Sequence, residues 1–326
     1  MSMAYCSSLG HVTCKPFLQH LAKTFCTCAV VAVFATFPQC VLLSSVDAYA
    51  DDEIKFTTPD SVVKEIAECL HRRGEFIVDP QDSPDQCVAP QWHAKTRTEL
   101  PFNVSRDEID KICRDGDRRA LSGDTIKRIV AQANGSIGPM GIRLIGGVYC
   151  DQVDLAGLDL KYSLILDKAV FRGGIAARNL RVKGDFSIDG SLVFNSLTLN
   201  RARVDGSFYH EDGFIQREIV TDTKIEGTWH QSGTVIFSTA RFQHLTASGD
   251  LDVSESALNR FLIEGSQIGG GLILNDSEAR CSYDIRSSDI GLVLAERAGL
   301  GTGTKKSSAT IQAKMAQPHP LFIPGG

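Results

Sequence analysis

Gly249-Asp250-Leu251-Asp252-Val253 is one member of a series of the form Gly-x-apolar-x-apolar. Its first apolar position belongs to a ladder that reads Leu144, Leu164, Phe186, Phe208, Trp229, Leu251, Leu272 and Leu292, in steps of 20, 22, 22, 21, 22, 21 and 20 residues. Gly184, Gly206, Gly227, Gly249 and Gly270 each stand two places ahead of their ladder residue, and Gly291 stands one place ahead of Leu292. A period near 21 that holds for seven steps marks a solenoid. Chance spacing of apolar residues would not keep the glycine in phase.

Short alternating stretches lie inside each repeat: Phe186/Ile188, Leu197/Leu199 and Val204 in one, Leu251/Val253, Leu262 and Ile268 in another. Alternation with period two means strands with one face inward. Two or three such strands per coil, joined by turns rich in Gly, Asn and Asp, predict a mainly β protein, a right-handed parallel β-helix. The repeat runs over 141–294 inside a β-helix domain of 136–296. Coils stack about 4.8 Å apart, so seven intervals predict a rod on the order of 34 Å long. The fixed L-x-x-L-x-L and Asn signature of leucine-rich repeats is missing.

Three stretches carry a family likeness: Gly141-Ile142-Arg143-Leu144, Val153-Asp154-Leu155-Ala156-Gly157-Leu158-Asp159-Leu160 and Gly249-Asp250-Leu251-Asp252-Val253. With them the chain resembles pentapeptide-repeat and related bacterial β-helix proteins. The resemblance implies a quadrilateral or three-sided helix and names no activity. The pentad pattern lapses over much of 206–246. No G-x-G-x-x-G follows a strand, and Gly265-x-x-x-Gly269-Gly270-Gly271 lies within the repeat, where its glycines serve turns. No cofactor is expected.

The flanks read differently. Lys15 and Lys23 precede an apolar run from Phe25 to Val46, followed by Asp47-Ala48-Tyr49-Ala50. This predicts a signal peptide over 1–50, cut after Ala50, and a protein that is periplasmic or secreted. The alternative is a retained membrane anchor at 25–46. Residues 51–135 predict a helical N-terminal region that caps the first coil. Its first helix has Thr58 as N-cap and Pro59 at the first helical position. Ser105 and Glu108 make a capping-box pattern, and a third helix runs from about Asp124 to Ala133. Residues 297–326, rich in Gly, Ser, Thr and Pro, predict a disordered tail. Export implies oxidising conditions. Cys69, Cys87, Cys113, Cys150 and Cys281 remain after cleavage, and Cys69–Cys87 is the expected disulfide. No C-x-x-C pair stands among them, so no metal site is expected.

Composition narrows the function. At 43% hydrophobic and 22% charged the chain is not a disordered one. Its net charge of −5 repels phosphate backbones, so nucleic acid is not an expected partner. Between the inward residues the outward column reads Ser187, Tyr209, His230, Asp252 and Ile273, and the position before the ladder reads Asp185, Ser207, Thr228 and Asp250. Tyr209, His230 and Asp252 are the candidate catalytic residues, since a His flanked by phenol and carboxylate can act as a general base. Asp185, Ser187, Ser207, Thr228 and Asp250 complete a candidate binding face. Arg181, Lys183, Arg201 and Arg203 form a small basic strip. The leading expectation is an exported, non-enzymatic scaffold that meets protein or polysaccharide partners through this face. The alternatives are a polysaccharide lyase or hydrolase, whose sites gather Asp, Arg or Lys in a groove, and a membrane-tethered β-helix.

Overall fold

The computed structural model describes residues 56–72, 75–78, 86–88, 105–133, 137–138, 140–300 and 308–315. The expected leader, with its apolar run Phe25–Val46, lies outside them.

The chain forms a parallel β-solenoid whose coils repeat every 21 or 22 residues. One coil carries four strand segments: Leu164–Asp167, Val170–Phe171, Ile175–Arg178 and Arg181–Val182. Each pairs with its equivalent in the following coil. Four sides, not two or three, therefore make up the coil. Two of the corners are left-handed. Gly157, Asn179, Arg201, Asp222, His244, Gly265 and Ser287 stack in one such column, and Lys168, Gly190, Asp212, Gly233, Glu255, Asp276 and Arg297 in the other, all with positive φ. Ten of these fourteen are not glycine. Charged and amide side chains point outward at a corner, so the sequence pattern of glycine at turns does not reveal them.

The apolar ladder is paired as expected from Leu164 through Phe186, Phe208, Trp229 and Leu251 to Leu272. Both of its ends differ from the expectation. Leu164 pairs with Ile142, while Leu144 pairs with Leu166. Leu272 pairs with Val293, and Leu292 is 47% exposed. With Ile142 and Val293 as the terminal rungs every step is 21 or 22, and Gly291 falls two places ahead of its rung like the other glycines. Within a mainly aliphatic core runs a chain of aromatic rings in edge and tilted contact. Phe186, Phe208, Trp229, Phe242, Phe261 and Tyr283 follow one another at centroid distances of 4.1–5.9 Å.

The head caps the rod with both helices and strands. α1 (Asp60–His71), α2 (Arg106–Asp115) and α3 (Thr125–Ala133) are present. Ser105 caps α2 by accepting Glu108 N–H at 3.2 Å. Pro59 takes the N-cap position of α1, because Thr58 is drawn inward. Its hydroxyl accepts Ser122 N–H at 2.7 Å and lies 2.8 Å from Thr125 Oγ1. Val63, Ile66 and Leu70 of α1 join Ile126 and Ile129 of α3 in the solenoid's own core. Glu75–Val78 then pairs in parallel with Ile142–Gly146, and Ala120–Leu121 with Val148–Tyr149, so strands cover the first coil's edge.

α2 sits outside the wall, its Ile109 and Ile112 packed with the outward residues Val148, Val170, Leu192 and Phe214. A Cys113–Cys150 disulfide and an ion pair at 2.6 Å between the buried Arg172 and the half-buried Asp110 hold it there. Cys69 is itself disulfide-bonded. The side chain of Cys87 lies outside the described residues, and the expected Cys69–Cys87 pairing with it. The region read as a disordered tail contributes two strands, Gly299–Leu300 against Glu278–Ala279 and Ser308–Met315 against Ser282–Ile290.

Candidate functional site

The register brings the expected outward column together. Ser187 pairs with Tyr209, Tyr209 with His230, His230 with Asp252, and Asp252 with Ile273. The Tyr209 and His230 rings stack with centroids 4.8 Å apart and planes 5° from parallel. Each ring thus covers one face of the other, leaving mainly edges toward solvent. Asp252 Oδ1 accepts Ser254 N–H at 3.0 Å. Among the described residues no hydrogen bond joins His230 to Asp252. A general base needs a group that orients it, and the column supplies a stack in place of a relay. Ser187 is buried and donates to Asp167.

The column of Asp185, Ser207, Thr228 and Asp250 has a different task. Ser207 N–H donates to Asp185 Oδ1 (2.9 Å), Thr228 N–H to Ser207 Oγ (3.1 Å), Asp250 N–H to Thr228 Oγ1 (3.3 Å) and Gly271 N–H to Asp250 Oδ1 (2.6 Å). These side chains zip each coil to the next. The zipper also explains the phased glycines: a Cβ at Gly206, Gly227, Gly249 or Gly270 would overlap the Asp185, Ser207, Thr228 or Asp250 side chain of the preceding coil. A second zipper runs beside it, with Asp189 N–H donating to Asp167 Oδ1 (2.9 Å) and Glu211 N–H to Asp189 Oδ1 (2.8 Å). Burial, reinforced by Asp167, pushes the Asp189 carboxyl up to about 7.

The basic strip is interleaved with acids. Lys183 meets Asp205 (2.9 Å), and Arg203 meets Asp205 (2.7 Å) and Glu226 (3.1 Å). Lys224 also meets Glu226, at 2.8 Å. Arg201 stands apart at a left-handed corner.

The least expected polar groups are inside. The position two beyond the rung reads Ile188, His210, Gln231, Val253 and Leu274, all buried. Glu218 takes the inward place that Leu197 fills one coil earlier and Ala240 one coil later. A chain of needs accounts for them. Trp229 buries an indole N–H, which must find an acceptor; Gln231 Oε1 provides it at 3.2 Å. The Gln231 amide then donates to both Glu218 oxygens at 3.0 and 2.9 Å. Burial raises the Glu218 carboxyl to about 8, so the group is protonated at neutral pH. His210 approaches Ser191 O through Nε2 at 3.3 Å, its Nδ1 has no partner among the described residues, and burial holds the ring neutral by lowering it to about 4. The lapse of the pentad pattern over 206–246 was the signal of this polar seam.

Among the described residues no three His, Cys, Asp or Glu side chains are grouped to hold a metal. A shallow depression of about 530 Å³ lies on the head, between α1 and α3, lined by Lys64, Glu68, His71, Arg72 and Gln132. It is remote in sequence and structure from the outward column. Compared with known proteins, the chain matches no family model, no curated protein and no solved structure.

Proposed function

We propose that the protein is an exported, non-enzymatic scaffold whose solenoid wall contacts envelope polymers or proteins. The observation that carries this reading is the state of the wall's polar groups. Asp185, Ser207, Thr228 and Asp250 are spent on backbone N–H groups, and Lys183 and Arg203 of the charged strip are paired with Asp205 and Glu226. What faces outward is one side of a stack of parallel strands, with the Tyr209 and His230 rings stacked on it. Such a surface suits contact along a length better than chemistry at a point. The Cys113–Cys150 disulfide supports an oxidising destination.

The test has two parts. Protein isolated from its native host should begin at Asp51 on N-terminal sequencing; a full-length chain retained in membranes would favour the anchor at 25–46. The purified mature protein should then be screened against envelope and plant polysaccharides beside a Tyr209→Ala/His230→Ala/Asp252→Ala variant. We expect neither protein to depolymerise any of them. Depolymerisation by the native protein, lost in the variant, would replace the scaffold with a lyase or hydrolase.

A further inference from the structure

The third side of the coil carries arginines on its outer face. It starts at Ile175–Arg178, which pairs with Leu197–Asn200 one coil later. In the following coils Glu218, Ala240 and Phe261 point inward on this side. The residues before and after each of them therefore point outward. Two outward columns result. In one, Ser196 pairs with Arg217, and Thr239, beside Ala240, pairs with Arg260. In the other, Thr198 pairs with Ile219, Ile219 with Arg241, Arg241 with Leu262, and Leu262 with Asp284. Arg217, Arg241 and Arg260 thus stand in three successive coils. Coils lie about 4.8 Å apart, so Arg217 and Arg260 are about 10 Å apart along the rod.

Charge is arranged here unlike the strip around Lys183 and Arg203, where Asp205 and Glu226 alternate with the bases. In the two arginine columns the first acid is Asp284, and it already holds Arg286. Arg241 and Arg260 are exposed, and among the described residues neither has a hydrogen bond or an ion pair. The chain carries a net charge of −5, so this side locally reverses its sign.

The chemistry of the two columns selects a partner. A guanidinium is a planar fork matched to a carboxylate. The hydroxyls of Ser196, Thr198 and Thr239 can exchange hydrogen bonds with sugar hydroxyls. Ile219 and Leu262 are half-buried and offer apolar ground for the C–H face of a sugar ring. No aromatic ring stands in either column, whereas single-stranded nucleic acids are held by stacking on such rings. One pyranose residue of an extended chain advances roughly as far as one coil, about 4.8 Å. Resting on the scaffold reading, we infer that the side bearing Arg217, Arg241 and Arg260 grips a linear polysaccharide that carries carboxylates.

Affinity electrophoresis of the purified protein through gels holding polygalacturonate, alginate or hyaluronate tests this, with dextran as the neutral control. At least one polyuronate should retard the protein, less so as salt rises, and dextran should not. Arg241→Gln/Arg260→Gln should raise the Kd at least about tenfold. Lys183→Gln/Arg203→Gln removes the same two charges from the paired strip and should raise it less than about threefold. All four side chains are exposed, so both variants should keep the native urea midpoint. Equal losses in the two variants would overturn the assignment, because net charge alone would then govern binding. Retention by none of the polyuronates would also overturn it, as would tighter capture of a single-stranded oligonucleotide. Retention by dextran alone would overturn it while leaving the scaffold reading in place. Cleavage of a bound polyuronate would instead end the non-enzymatic reading, and loss of that binding in Arg241→Gln/Arg260→Gln would still support the arginine side as the grip.

Discussion

Glu218 is a carboxyl placed where the neighbouring coils have Leu197 and Ala240, and its cost depends on pH. The unfolded chain releases this proton near 4.5 and the folded chain near 8. Stability from this group is therefore full below 4.5, declines between the two values by about 1.4 kcal/mol per pH unit, and is level above 8. Asp189, raised to about 7, acts in the same direction. His210, lowered to about 4, acts in the opposite direction below its unfolded value of 6.5. Comparing the native protein with Glu218→Gln isolates the first effect. The variant should lose roughly 3–4 kcal/mol less than the native protein between pH 5 and pH 8, read from urea midpoints. Equal pH slopes would show that Glu218 ionises normally in the fold. A second residue-scale test concerns His210 and Gly213. At the equivalent corners Ser191, Thr234 and Ser256 accompany Ile188, Gln231 and Val253, but a Cβ at Gly213 would overlap the His210 ring. Gly213→Ser alone should cost about 1–3 kcal/mol through overpacking. With His210→Val added, part of that loss should return, because the ring is gone while the 2.8 Å approach of the Cβ to Ser191 O remains. Simple additivity in a double-mutant cycle would refute the coupling.

At the scale of elements, α2 is held to the wall by few but strong ties: a disulfide, a half-buried ion pair and a small apolar contact. Closing a loop between positions 37 apart is worth about 4 kcal/mol in the chain-entropy model. Cys113→Ala/Cys150→Ala should lower stability by about 2–4 kcal/mol, with exchange of the α2 amides accelerated more than that of the central coils. A uniform effect along the chain would show that the tie belongs to the whole rod. Elements also show what sequence makes legible. Alternation and glycine phase made the parallel solenoid, its inward column and the neighbours of Tyr209, His230 and Asp252 legible, but not the number of strands per coil. The ladder's ends were misplaced because Leu144 and Leu292 are apolar and near the right spacing; Gly291, two places before Val293, was the better guide. The zipper was not legible, since the N–H that Asp185 accepts lies in another coil. Nor were the left-handed corners, because Lys168, Arg201 and Glu255 carry no local mark of positive φ.

In the whole molecule, each coil touches chiefly its two neighbours, so stability is a sum of local terms and need not be uniform. Large, fully buried rings run from Phe76, Tyr149 and Phe171 through Phe186, Phe208 and Trp229 to Phe261, while Leu292 and Leu294 in the last described coil are exposed. Exchange protection measured by mass spectrometry should peak over 208–242 and decline toward 278–300. A flat profile would mean that the rod opens only as one unit. The hydrogen bonds that join coils run along the rod, and this gives the molecule a mechanical character. Tension applied between its ends loads the bonds of one terminal coil before those of the next. A coil of 22 residues takes up about 4.8 Å of the rod but stretches to about 75 Å once freed. Under load the protein would lengthen in steps of about 70 Å, yielding as a brake does, with its remaining coils still wound.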